Sequence, residues 1–174
     1  MIKRVKTFLP DAKINAEEFR EYGENFESEI TRGISTLAIL TIIRRSGTEG
    51  IYGYQLLKEL EQDTKNMLII EEGTLYPILK KLEKDGIVKS EKKVIGGRPR
   101  NYYMITQNGQ QIYTHLIGFL SKFIEGIGSL LGLNVALPQI RYFYCPNCAN
   151  QIEKNDNMKF CAICGLNVEE FQKR

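Results

Sequence analysis

The sequence holds one histidine, His115, and no grouping of serine or cysteine with histidine and an acid of the kind used in nucleophilic catalysis. It has no glycine-rich phosphate loop. The opening residues, MIKRVKTFLPDAK, lack the apolar run of a secretory signal. Internal repeats and low-complexity tracts are also missing. The most apolar stretch, 116–137, would carry Lys122 and Glu125 near mid-span, at a cost of about 2.5–3.5 kcal/mol each in a bilayer. These absences argue against an enzyme, an exported protein and a membrane protein. They lead to the expectation of a soluble cytoplasmic chain with no catalytic residues, in which His115 has a structural or surface role.

What is present is an ordinary globular composition: 174 residues, 43% hydrophobic and 26% charged, enough for one or two small domains. The net charge of +3 is unevenly placed. Between Lys80 and Arg100 stand eight basic residues (Lys80, Lys81, Lys84, Lys89, Lys92, Lys93, Arg98, Arg100) and three acids (Glu83, Asp85, Glu91). That segment is +5 and the remainder of the chain −2. A positive excess held in so short a stretch is what a nucleic-acid footprint requires.

Four regions follow from periodicity. Residues 1–30 form an N-terminal extension in which Phe19, Tyr22, Phe26 and Ile30 recur at helical spacing, giving a helix that packs on the body or on a second subunit. Residues 31–106 contain a buried helix over Ile34 to Ile43 that stops at Arg44-Arg45-Ser46-Gly47. A second helix starts near Tyr54, with Leu56, Leu57 and Leu60 inward. A third spans EEGTLYPILKKLEKDG, with Leu75, Ile78, Leu79 and Leu82 inward. Short strands are expected at Ile87–Glu91 and Tyr102–Thr106, joined by a basic Gly/Pro-punctuated segment, Lys92 to Asn101. Three helices and a hairpin with a basic tip is the order of a winged helix-turn-helix.

Residues 107–133 predict one long helix with an apolar stripe of Ile112, Leu116, Phe119, Phe123, Ile127 and Leu130. Its glycines (Gly118, Gly126, Gly128, Gly132) permit close approach of another helix, and packing against a second copy is preferred to folding back. A turn at Asn134 to Gln139 leads to residues 142–168, which hold all four cysteines. Cys145-Pro-Asn-Cys148 and Cys161-Ala-Ile-Cys164 are two thiolate pairs separated by a loop. With no histidine nearby, four thiolates suit one structural Zn²⁺ per chain in a tetrahedral, closed site. Disulfides are disfavoured in a cytosolic chain, and a single iron is the other rival. The segment is too short for a core of its own, so the metal is expected to supply its folding energy. Tyr144 and Phe160, each preceding a knuckle, are expected to shield it. The fold class expected is therefore mainly α with a small β-hairpin: a winged helix-turn-helix, a long C-terminal dimerisation helix and a small four-cysteine zinc ribbon.

Particular runs resemble the PadR family of winged-helix transcriptional regulators. They are Arg32-Gly-Ile-Ser-Thr-Leu-Ala-Ile-Leu40, Tyr52-Gly-Tyr-Gln-Leu56, Gly73-Thr-Leu-Tyr-Pro-Ile-Leu-Lys-Lys-Leu-Glu-Lys-Asp-Gly-Ile-Val88 and Arg98-Pro-Arg-Asn-Tyr-Tyr-Met-Ile-Thr106, with Gly109. The resemblance covers about residues 32–133, whereas the first 30 residues and the cysteine segment lie outside it. It implies a homodimeric repressor on a palindromic operator in double-stranded DNA. The recognition helix would lie in the major groove, the wing against the adjacent backbone or minor groove, and the C-terminal helix would make the dimer. Many members are released by small aromatic or multidrug effectors bound near the dimer interface. A winged helix followed by a zinc ribbon also resembles the archaeal alpha subunit of transcription factor E, which binds RNA polymerase. The Gly-Thr-Leu-Tyr-Pro run and the single long helix argue against that alternative.

The front of the second helix of a helix-turn-helix carries the DNA contacts, which singles out Gly73, Thr74, Tyr76, Pro77 and Lys80. Thr74 and Tyr76 offer hydroxyls, while Lys80 and Lys81 supply charge that positions without reading sequence. Pro77 is expected near enough to the helix front that its missing N–H lacked a helical partner anyway. Tyr54 is a candidate phosphate contact, and Tyr52 could equally be packing. In the wing, Arg98 and Arg100 straddle a stiffening Pro99, and Lys92 and Lys93 approach from the same hairpin. Of Tyr102 and Tyr103, which alternate faces, one must be core. The zinc ribbon could buttress the dimer, touch DNA or recruit a protein partner.

Overall fold

The structure, a computed structural model, describes residues 2–3, 17–133, 142–148, 150–153 and 158–169. It forms two compact units, residues 1–110 and 111–174. The side chains of Phe19 and Tyr22 in the expected N-terminal helix and the expected turn at Asn134 to Gln139 lie outside the described residues.

In the first unit the order is β1 (Ile2–Lys3), α1 (Glu17–Arg45), β2 (Ile51–Tyr52), α2 (Gly53–Asp63), β3 (Ile69–Ile70), α3 (Glu72–Lys84), β4 (Val88–Ile95) and β5 (Arg98–Ile105). α1 differs from the expectation of two elements, because one uninterrupted helix crosses the boundary drawn at residue 30. Its later half buries Ile39, Leu40, Ile42 and Ile43, whereas Phe26 and Ile30 in its earlier half stay exposed and do not pack on the body. Ser35 is fully buried there because its hydroxyl donates to the Thr31 carbonyl at 2.6 Å. Gly47, at φ +61°, supplies the left-handed residue just beyond the helix end. Arg45 then reaches Asp63 at 2.6 Å and Glu59 at 3.7 Å, tying α1 to α2.

The core gathers one apolar face from each helix: Leu56 and Leu60 from α2, and Leu75, Leu79 and Leu82 from α3. Burial of each such side chain contributes roughly 1.5–3 kcal/mol. Between α2 and α3 the chain turns through Lys65 and Asn66, at φ +51° and +62°. Thr64 holds that turn, donating its hydroxyl to the Leu60 carbonyl and accepting from the Leu68 N–H.

β4 and β5 pair along eight residues from Val88↔Ile105 to Ile95↔Arg98, and β2 adds Ile51↔Tyr103 and Tyr52↔Tyr102, giving the antiparallel order β2-β5-β4. The expected basic loop over Lys92 to Asn101 is thus mostly strand. Gly96 and Gly97, both at positive φ, close a two-residue hairpin whose twist suits the flanking strands. The run of lysines and arginines concealed the strand pattern, since its solvated residues show no apolar alternation. A separate two-stranded pair joins β1 to β3 through Ile2↔Ile70 and Lys3↔Ile69.

Helix α4 (Gln107–Leu130) begins in the first unit and continues into the second. Thr106 caps it: its hydroxyl accepts from the Gly109 N–H at 3.0 Å and donates to the Gly86 carbonyl at 2.7 Å. Beyond it, β6 (Tyr142–Tyr144) and β7 (Gln151–Glu153) pair antiparallel through Phe143↔Ile152. Among the described residues no helix is long and apolar enough to cross a membrane.

Candidate nucleic-acid interface and metal centre

The exposed side of α3 follows directly from its buried side. With Leu75, Leu79 and Leu82 inward, Gly73, Tyr76, Pro77 and Lys80 form an outward stripe, Lys81 is exposed beside it, and Thr74 is half-buried. Pro77 is not in the first turn. The helix starts at Glu72, so Pro77 is its sixth residue, and a helical N–H there would have bonded to the Gly73 carbonyl. That carbonyl is left without its helical donor on the exposed front of the helix. The side chain Gly73 lacks would have met nothing within 4 Å.

Across from α3 stands the hairpin. Register and the two-residue period put Lys92, Asn101, Pro99 and Tyr103 on one face of it and Lys93, Arg98, Arg100 and Tyr102 on the other. The wing cations are therefore divided between faces rather than gathered at a loop tip. Lys92 and Arg98 are exposed. Lys93, expected to approach a DNA backbone, is otherwise engaged. Its ammonium donates to the Glu49 carbonyl at 2.8 Å and lies 5.1 Å from the Tyr102 ring centre. The Arg100 guanidinium stacks 4.2 Å over the Tyr52 ring. Tyr103 is the buried member of its pair, and Tyr102 packs against Tyr52.

Between hairpin and helices lies an open cleft of about 330 Å³, lined by Tyr52, Gly53, Tyr54, Tyr76, Pro99, Arg100, Asn101 and Tyr103. Burial raises the Tyr103 pKa above its ordinary value, against the opposing effect of the Asn101 hydrogen bond, so the phenol stays protonated at neutral pH. Of these residues only Tyr54, Tyr76 and Arg100 are expected at the interface from the sequence. Gly53 is the most informative: a Cβ there would fall 2.9 Å from the Tyr76 hydroxyl, so the bare glycine is what seats the Tyr76 ring. The only sequence signal for it was its place between Tyr52 and Tyr54.

In the second unit each Cys-x-x-Cys is a tight turn: the Cys145 N–H donates to the Asn150 carbonyl and the Cys161 N–H to that of Leu166, both at 2.8 Å. The four sulfurs lie within 4.8 Å of one another, with Cys145–Cys164 at 3.6 Å and Cys148–Cys161 at 3.5 Å. Sulfurs each about 2.3 Å from a shared tetrahedral ion would stand about 3.8 Å apart, so this donor set fits a metal. Asn150 supports it by donating its amide to the Cys161 sulfur at 3.7 Å.

The thiols differ electrostatically. Burial pushes Cys145 up and Cys148 up to about 12. The Asn147 side chain, with the Leu166 N–H, draws Cys164 down to about 6. Cys161 is lowered as well; burial opposes this, but the Cys164 and Ile163 N–H groups prevail. Four neighbouring thiolates accordingly need a cation to coexist. The expected shielding is corrected in part. Tyr144 is half-buried and shares a 3.0 Å hydrogen bond with Ser121 of α4, but Phe160 is 58% exposed and covers nothing. Its backbone pairs with Asn167.

Comparison with known proteins agrees with this architecture. Residues 39–115 match the transcriptional regulator PadR-like family. An uncharacterised protein of Lysinibacillus sphaericus is 33% identical over 108 residues, covering 58% of this chain and 96% of its own length. A Mycobacterium tuberculosis transcriptional regulator is 35% identical over 75 residues, 43% of this chain and 67% of its own. The crystal structure of a PadR family transcriptional regulator from Eggerthella lenta superposes with a TM-score of 0.55 at 30% identity, over 67% of this chain and 94% of that one. The family match ends before the first cysteine. With its helix-turn-helix, its basic two-stranded wing and its long following helix, the chain belongs to the PadR-like family of transcriptional regulators.

Proposed function

We propose that the protein is a homodimeric, sequence-specific repressor that binds a palindromic operator through α3 and the hairpin. The observation that carries this reading is the outward stripe of Gly73, Tyr76, Pro77 and Lys80 beside the exposed Lys92 and Arg98. A helix of that kind presents side chains to a major groove. Cations on a wing neutralise phosphates without reading bases. Sequence discrimination then rests on Tyr76, Thr74 and their neighbours. Release by a small aromatic effector at the dimer contact is the regulatory step that the family resemblance implies.

The test is capture of genomic DNA by the purified protein, followed by binding to the enriched sequence across a salt series. Log K should fall linearly with log salt, by about 0.9 per neutralised phosphate. Arg98→Ala is expected to weaken binding to every duplex and to flatten the slope by about 0.9; an unchanged slope would remove the wing from the contact surface.

For the dimer, support comes from α4. Phe119 and Phe123 stack 5.9 Å apart while 56% and 50% exposed, and Ile112 and Leu130 are exposed as well. Leu116 and Ile127 on the same stripe are half-buried. A contiguous apolar stripe of this size is what a partner helix would cover. The paired change Phe119→Glu and Phe123→Glu should yield a monomer by light scattering and weaken operator binding at least tenfold; a dimer that persists would place the contact elsewhere.

The cysteine cluster is assigned one structural Zn²⁺, held by Cys145, Cys148, Cys161 and Cys164. The support is the donor set itself: four sulfurs at near-tetrahedral spacing with, among the described residues, no histidine or carboxylate beside them. Bound there, the ion would neutralise the thiolates and cross-link the two knuckles.

A further inference from the structure

Lys93 and Arg100 are direct cross-strand partners, and so are Tyr52 and Tyr102. Like charges facing each other across a ladder repel. Here each cation lies over a ring instead. Lys93 lies 5.1 Å from the Tyr102 ring centre and is held at its tip by the Glu49 carbonyl. Tyr102 packs against Tyr52 at 5.6 Å, with the ring planes tilted by 54°. The Arg100 guanidinium carbon sits 4.2 Å over Tyr52. Cation, ring, ring, cation thus form one continuous stack running from Glu49 to the cleft.

Its far end is functional in character. Among the described residues Arg100 is the one cation lining the cleft, and it sits there with Tyr54, Tyr76 and Asn101. A guanidinium among hydroxyl and amide groups is a receptor for an anion. Restricting such a long side chain beforehand removes part of the ordering cost of binding.

We infer that Tyr52 and Tyr102 are positioning residues that present Arg100 to a single backbone phosphate of the duplex at the mouth of this cleft. This rests on the DNA-binding reading above and extends it to residues that need not touch DNA. Because a phosphate contact carries no sequence information, a fluorescein-labelled random-sequence duplex of about 25 base pairs is a sufficient probe.

Binding would be followed by anisotropy across a salt series. Tyr52→Leu should weaken binding about threefold to fivefold, the size of one lost cation–π contact, and Tyr102→Leu, which removes the ring that Tyr52 packs against, should weaken it in the same direction by less. Tyr52→Phe, which keeps the stack, should bind like the natural protein. Arg100→Ala should lose at least as much and lower the salt slope by about 0.9. Adding Tyr52→Leu to Arg100→Ala should cost nothing further, a result that general loosening of the fold would not produce.

Full additivity of the two changes would overturn the proposal. So would a Tyr52→Leu protein with natural affinity, or a Tyr52→Phe protein as impaired as Tyr52→Leu. In each of those cases the natural protein still binds duplex, and the broader reading survives. A natural protein that does not bind duplex at all would sink both.

Discussion

Chelating the proposed zinc is expected to unfold the segment around the four cysteines while residues 1–110 stay folded. The apolar interior of that segment consists of Phe143, Ile152 and Val168 with Cys145 and Cys161, joined by half-buried Met158 and Leu166. So small an interior is not enough to order a segment of this length against its conformational entropy. Coordination of a structural Zn²⁺ supplies on the order of 10–16 kcal/mol near neutral pH, a contribution the segment has no other source for. Elemental analysis should therefore give one zinc per chain. After a strong chelator, limited proteolysis should cut between Tyr142 and Glu169, and resistance should return when zinc is restored. Cys161→Ser should behave like the chelated protein, since it removes a sulfur from the cluster's interior. A chelated, metal-free protein whose C-terminal segment still resists protease would refute the assignment.

The parts of the molecule legible in the sequence are those in which near neighbours decide the outcome. Leu75, Leu79 and Leu82 recur at helical spacing, and their burial fixes which side of α3 faces out. The two Cys-x-x-Cys turns bring sulfurs together within each knuckle by local geometry alone. What the sequence concealed depends on distant partners. Lys93 reads as one more wing cation until the carbonyl of Glu49, forty-four residues earlier, is seen to accept its hydrogen bond. Gly53 reads as a helix-start glycine until the Tyr76 ring is placed against it. The hairpin strands are longer than the sequence suggests because solvated lysines and arginines obscure the alternation on which a strand is recognised. Pro77 differs from its expected place for a smaller reason: the helix begins at Glu72, which puts the proline past the turn in which a missing N–H is harmless.

Gly109 marks the junction where one methyl group should do the greatest damage to the first unit. A Cβ built there would lie 2.0 Å from the Ile87 carbonyl oxygen and 2.9 Å from Cγ1 of Ile105. Neither side can yield cheaply. The Ile87 oxygen already accepts from the Thr106 N–H at 3.0 Å, and the Gly109 N–H is tied to the Thr106 hydroxyl at 3.0 Å. Gly109→Ala must therefore pry the first turn of α4 off the loop joining α3 to β4, breaking the cap as it does so. The expected cost is about 3 kcal/mol, or roughly 12–24 °C in Tm for a unit of this size. Gly33→Ala is the control, since that glycine sits inside α1 with nothing within 4 Å of a Cβ. There the same substitution should stabilise by about 0.5–1 kcal/mol through helix propensity. Melting both variants by circular dichroism decides the matter. If Gly109→Ala melts within a degree or two of the natural protein, α4 does not start against Ile87 as described. If it melts early while Gly33→Ala melts late, steric contact at the Thr106 cap rather than glycine content governs how the first turn of α4 is seated in the first unit.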